Sequence, residues 1–104
     1  MTNGLAKGYT KIANYILESV MSGGFNKREL LILLYVFRHG YGFNREQSAC
    51  ERNVRRIADE IQIDPSHINK TLKSLEGQKV IKLEKDKILF NRHSEQWSKA
   101  KTAF

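Results

Sequence analysis

The spacing of apolar and polar positions changes along the chain, and each change marks an element. From Thr10 to Met21 the apolar residues Ile12, Ile16, Leu17 and Val20 fall at helical intervals, on one face. Thr10 is placed to cap this helix, and Ser22-Gly23-Gly24 ends it. Asn26 opens a second helix. Glu29 stands three residues on, the spacing at which each side chain satisfies an orphan backbone N–H at the other's position. Leu30 to Phe37 is then an almost unbroken apolar run, with Gly40 as its terminator. A helix apolar nearly all round is either central in a core or shared with a second subunit. The second arrangement would make the chain a homodimer.

Tyr41 to Arg52 reads as a loop. An extended piece near Ala49 and Cys50 is only weakly signalled, because Arg45 to Asn53 lacks the apolar alternation of a strand. Asn53 caps a third helix with Val54, Ile57, Ala58 and Ile61 inward and Arg55, Arg56, Asp59 and Glu60 outward. After the tight connection Gln62-Ile63-Asp64, Asp64 caps a fourth helix. Pro65 takes its first position, where a missing N–H costs nothing. Ile68, Leu72 and Leu75 face the core, Ser66, Asn69, Lys70 and Lys73 face away, and Gly77 stops the helix. Val80 to Leu83 and Ile88 to Asn91 form a hairpin around Glu84-Lys85-Asp86-Lys87. The tail from Arg92 to Phe104 holds Trp97 and is expected to be partly helical.

This order predicts a mainly α fold with a small β-hairpin wing, a winged helix-turn-helix. Residues 1–8 form a flexible arm, 9–92 the domain and 93–104 a tail. The length of 104 residues suits one domain. A lone cysteine, Cys50, cannot form an intrachain disulfide. The apolar run of eight residues is far short of the ~20 that span a bilayer. Residues 1–7 have no apolar leader, so a cytoplasmic location is the expectation.

Charge sharpens the picture. The chain carries a net +7, which favours a polyanionic partner. Residues 48–78 are neutral, while 79–104 hold seven Lys or Arg against three acids. The surplus therefore lies on the hairpin and tail. A major groove admits one helix that is apolar on one side and polar on the other, as the fourth helix is. Asn69, Lys70 and Lys73 are the candidates for base contacts in double-stranded DNA. Ser66, His67, Arg55, Arg56, Lys82, Lys85, Lys87 and Arg92 are the candidates for phosphate contacts.

Gly8-Tyr9-Thr10-Lys11-Ile12-Ala13-Asn14, Tyr41-Gly42-Phe43-Asn44, the stretch from Ile57-Ala58 to Leu75, and Gln96-Trp97 carry a family likeness. In them the chain resembles the N-terminal, origin-binding domain of phage replication protein O, the lambda-type initiators. The resemblance implies a winged helix that binds repeated sites in a phage origin as a dimer. In the family a further region recruits a host helicase or its loader; this chain, ending at Phe104, is expected to be either a fragment or a shorter protein with a binding role alone. Two rivals remain, a winged-helix transcriptional regulator and a protein-interaction winged helix in a replication complex.

Other chemistry is not signalled. His39, His67 and His93 lack metal-ligand spacing, and no motif sets a base beside a nucleophile, so neither a metal, a cofactor nor an enzyme is expected. Tyr9, Tyr15, Tyr35, Phe37, Tyr41, Phe43 and Trp97 are assigned to the core rather than to base stacking.

Overall fold

A computed structural model describes residues 8–41 and 49–98. The expected arm before Gly8, the stretch Gly42-Phe43-Asn44 and the tail from residue 99 lie outside them.

The first helix, α1, is Asn14–Ser22. It starts later than a Thr10 cap would set it. The cap is Ala13, in extended conformation and without a side-chain bond, and its carbonyl accepts from the Ile16 and Leu17 N–H groups. Ile12 and Ala13 pack against the core, which holds this lead-in extended where helical spacing alone would continue it. Ile16 is the fully buried residue of α1, while Leu17 and Met21 are exposed. Gly24, at φ +72, takes the left-handed turn that follows.

The second helix, α2, is Lys27–Val36, and the capping box is present in full. The Glu29 N–H donates to Asn26 Oδ1 and the Asn26 N–H to Glu29 Oε1, each at 2.9 Å. Ile32, Leu33, Tyr35 and Val36 are buried, so α2 is a central helix, with Leu30 and Leu34 left exposed. It runs on into a π-helical turn, Phe37–Tyr41. Gly40 belongs to this turn and its role is close approach. A Cβ there would lie 2.9 Å from the Ala49 carbonyl oxygen.

Ala49–Glu51 is a strand, β1, where the sequence promised little. It pairs antiparallel with β3 (Lys87–Phe90), with Cys50 opposite Ile88. β2 (Ile81–Leu83) pairs with the other edge of β3, giving an antiparallel sheet of order β1-β3-β2. A strand of three residues with one buried side chain carries no readable alternation, and its existence depends on the open edge of β3.

Between β1 and β2 lie α3 (Val54–Ile61) and α4 (Pro65–Gly77). Asn53 caps α3 by accepting from the Arg56 N–H, and Asp64 caps α4 by accepting from the Ser66 N–H. Ile57 and Ala58 of α3 and Ile68, Leu72 and Leu75 of α4 are buried, as their spacing requires. Gly77 does not stop α4; it is the last helical residue. The left-handed position is Lys79, at φ 64. The Lys79 N–H donates to the Glu76 carbonyl and the Val80 N–H to the Leu75 carbonyl, which is the Schellman pattern, with buried Val80 and Leu75 as its apolar contact.

Residues beyond Asn91 join the core. Trp97 is buried, and its indole N–H donates to the Asn91 carbonyl at 2.7 Å. Its ring meets Phe90 and Phe25 edge-on, and Phe90 meets Phe37 likewise. Ser94–Gln96 forms one 3-10 turn. Tyr35, Phe37 and Trp97 are core aromatics as assigned, whereas Tyr9 and Tyr15 are exposed.

Glu29 is fully buried. Beyond the capping box, its Oε2 accepts from Ser74 Oγ and Gln78 Nε2, both at 2.8 Å, joining the start of α2 to the end of α4. Replacing it by Ala opens the cap and removes the acceptor shared by the buried Gln78 amide and the Ser74 hydroxyl. Glu29→Ala should therefore lower stability by about 2–4 kcal/mol in urea unfolding, with Glu29→Gln less damaging because it keeps the shape and an acceptor. Gly40→Ala should cost about 1–3 kcal/mol in the same measurement, because its methyl meets β1 backbone that cannot yield locally.

Candidate nucleic-acid interface

The exposed face of α4 carries Ser66, Asn69, Lys70 and Lys73, and the buried one carries Ile68, Leu72 and Leu75. The β2–β3 hairpin follows within a few residues and presents Lys82, Lys85 and Lys87, all exposed. Two features fix the hairpin against α4. The left-handed Lys79 turns the chain sharply, and Glu76 Oε2 accepts from the Leu83 N–H at 3.0 Å. That bond also satisfies a donor on β2, which is an edge strand of the sheet. The Asn91 amide donates to the Lys79 carbonyl and braces the same corner.

Arg55, Lys70, Lys73, Lys82, Lys85, Lys87 and Arg92 are exposed, and among the described residues none is within ion-pair distance of a carboxylate. Their charge is available to a partner. Arg56 differs. Its Nη1 is 3.9 Å from Glu51 Oε1 and its Nε 3.6 Å from Glu60 Oε1. Glu60 in turn accepts from His39 Nε2 at 2.8 Å. The His39 hydrogen bond, aided by the charges of His39 and Arg56, holds the Glu60 carboxyl below its usual range. Arg56 is thus shared with two acids that a phosphate would have to displace.

The start of α4 is also partly committed. The Ser66 N–H donates to Asp64 Oδ1 and the His67 N–H to the Asp64 carbonyl. Hydrogen bonds from the Ser66 backbone and hydroxyl, with the nearby His67, keep Asp64 below the usual carboxylate range. An anion approaching this end therefore meets a carboxylate as well as the helix N-terminus. His67 is half-buried, and its carbonyl accepts from Thr71 Oγ1. Arg92 is exposed at the far end of β3, where its carbonyl accepts from the Tyr15 hydroxyl of α1.

One residue at the hairpin was not marked by sequence. Arg52 precedes the α3 cap and donates from Nη1 to the Glu84 carbonyl at 2.9 Å. Nothing in its neighbourhood along the chain signals this, because the contact depends on β1 pairing with β3.

An open pocket beside Arg56 and Lys87 is lined also by Tyr35, His39, Ala49, Cys50, Glu51 and Asp86. Burial pushes the Cys50 thiol up to about 11, so it is protonated and unreactive at neutral pH. Burial also raises the Tyr35 hydroxyl.

Comparison with known proteins agrees with the residue pattern. The family model for bacteriophage replication protein O matches residues 2–97. The DNA replication protein gp18 of Salmonella phage P22 is 45% identical over 42 residues, which is 40% of this chain and 16% of that protein. The chain thus matches well under two thirds of that relative's length. No solved structure matches. The family match runs from ahead of α1 through the buried Trp97, and on that extent the chain belongs to the bacteriophage replication protein O family.

Proposed function

We propose that this chain binds double-stranded DNA as a winged helix-turn-helix and recognises repeated sites in a phage or prophage replication origin. In this reading α3 and α4 are the helix-turn-helix, α4 enters the major groove, and the β2–β3 hairpin is the wing. The observation that carries it is the set of unneutralised cations that continues from the exposed face of α4 onto the hairpin. Asn69 matches an adenine edge, and Lys70 and Lys73 match guanine acceptors or phosphate. Lys82, Lys85, Lys87, Arg92 and Arg55 hold the backbone, with Ser66 and His67 at its edge. Arg56 contributes less than Arg55, because Glu51 and Glu60 already hold it.

The family and the phage P22 relative support a replication role for this binding. Assembly on repeats would draw on the exposed Leu30 and Leu34 for a homodimer. Recruitment of a host helicase or loader, in the bacterial cytoplasm, would use chain outside this sequence. The role is binding rather than catalysis. A transcriptional regulator would use the same parts, and the arrangement of selected sites separates the two. Several repeats within an origin mark an initiator, and one palindrome over a promoter marks a regulator. A winged helix that binds only proteins would show no salt-dependent duplex affinity.

Titration of a random duplex at two salt concentrations is the direct test, because counterion release makes real binding fall steeply with salt. Asn69→Ala should cost ~1–3 kcal/mol on the selected site and little on random DNA. Equal losses on both duplexes would refute the assignment of α4 as the reading helix. Lys85→Ala should weaken all sequences alike and reduce the salt slope by roughly one.

A further inference from the structure

The tip of the β2–β3 hairpin is held by a residue outside the hairpin. Arg52, between β1 and the Asn53 cap of α3, donates twice to the turn. Its guanidinium Nη1 reaches the Glu84 carbonyl and its backbone N–H the Asp86 carbonyl, each at 2.9 Å. Within the turn, the Glu84 N–H donates to the Lys87 carbonyl at 2.9 Å. Two carbonyls of the tip are thus directed at Arg52, while Lys85 and Lys87 stay exposed.

The tip needs such a hold. Glu84-Lys85-Asp86 contains none of the glycine or asparagine that pre-sets a tight hairpin turn, and the flanking strands are only three and four residues long. Arg52 is half-buried, and its guanidinium makes a charge-assisted hydrogen bond to a carbonyl dipole. Its neighbour Asn53 caps α3. One short segment therefore sets both the wing tip and the start of the helix pair.

We infer that Arg52 is a positioning residue for the wing. It presents Lys85 to phosphate at a set distance from α4 and makes no phosphate contact itself. The inference rests on the DNA-binding reading above. Its physical content is pre-organisation: a tip ordered before binding loses less conformational freedom when Lys85 meets DNA.

The test uses the full chain with Arg52→Ala, Arg52→Lys, Lys85→Ala and the Arg52→Ala/Lys85→Ala double variant. Amide hydrogen exchange is read without DNA, and binding is read on a random duplex at two salt concentrations. Arg52→Ala should speed exchange at the Glu84 amide and weaken duplex binding about fivefold, lowering the salt slope by roughly one, as Lys85→Ala does. The double variant should bind no worse than Arg52→Ala alone, because the lysine that Arg52 positions is already lost. Arg52→Lys keeps the cation, the fold and the backbone bond to Asp86 but shortens the side chain and moves its donor away from the Glu84 carbonyl. Faster exchange together with weaker binding in that variant supports positioning. Full binding despite faster exchange, multiplied losses in the double variant, or unchanged Glu84 exchange in both Arg52 variants would each overturn it. A wild-type chain that binds no duplex even at low salt would overturn the DNA reading itself. A wild-type chain that binds while both Arg52 variants bind equally well would overturn this inference alone.

Discussion

Glu29 occupies the point where the start of α2 meets the end of α4. Its carboxylate closes the cap of α2 through the Asn26 N–H and accepts from Ser74 and Gln78 at the end of α4. A carboxylate removed from water is tolerated only when its lone pairs are used. These donors use them, and they come from two distant segments. The orientation of α4 against the central helix is therefore tied to one polar contact inside an apolar core. Directional hydrogen bonds fix a helix along its axis better than aliphatic packing, which accepts small sliding movements. The exposed face of α4 inherits its direction from this bond.

From the end of α4 the constraint passes to the sheet. Lys79 takes the left-handed turn, Glu76 accepts from β2, and β3 lies between β2 and β1. β1 is held close to the π-helical turn by the absence of a side chain at Gly40. Arg52 then returns from β1 to the hairpin tip. The hairpin is thus not an independent ribbon beside a helix pair. It is the central part of a closed circuit of backbone and side-chain bonds, so α4 and the hairpin keep a fixed relation. Under the proposed DNA-binding role, a phosphate backbone of regular geometry would reward that fixity, because charges placed in advance at its spacing lose little entropy on contact.

The charge distribution fits the same frame. Acids and bases are mixed around α3, where its Arg56 and Glu60, Glu51 of β1 and His39 of the π-helical turn satisfy one another. Lysines on α4 and the hairpin have no such partners among the described residues. Arg55 and Arg56 are adjacent and alike in sequence, yet Arg56 alone is flanked by carboxylates. Glu60 lies one helical turn from Arg56, whereas Glu51 reaches Arg56 only once β1 has formed.

Much of this was legible along the chain. The capping box, the caps at Asn53 and Asp64, the inward faces of α3 and α4 and the hairpin all follow from local rules. A cap spans three residues and a helical face repeats every turn, so both are written within a short window. The family likeness was legible too, in short stretches spread from Gly8 to Trp97. What only the tertiary structure decided has the opposite character. The third strand, the late start of α1, Gly40 as a contact rather than a stop, Lys79 in place of Gly77 at the left-handed position, and the roles of Glu29 and Arg52 beyond their neighbours all depend on segments far away in sequence. A strand of three residues exists because a partner edge is open, and a side chain bonds a distant carbonyl because the sheet brings it near. Local spacing encodes which face of an element is apolar; it does not encode which remote backbone group that element will meet.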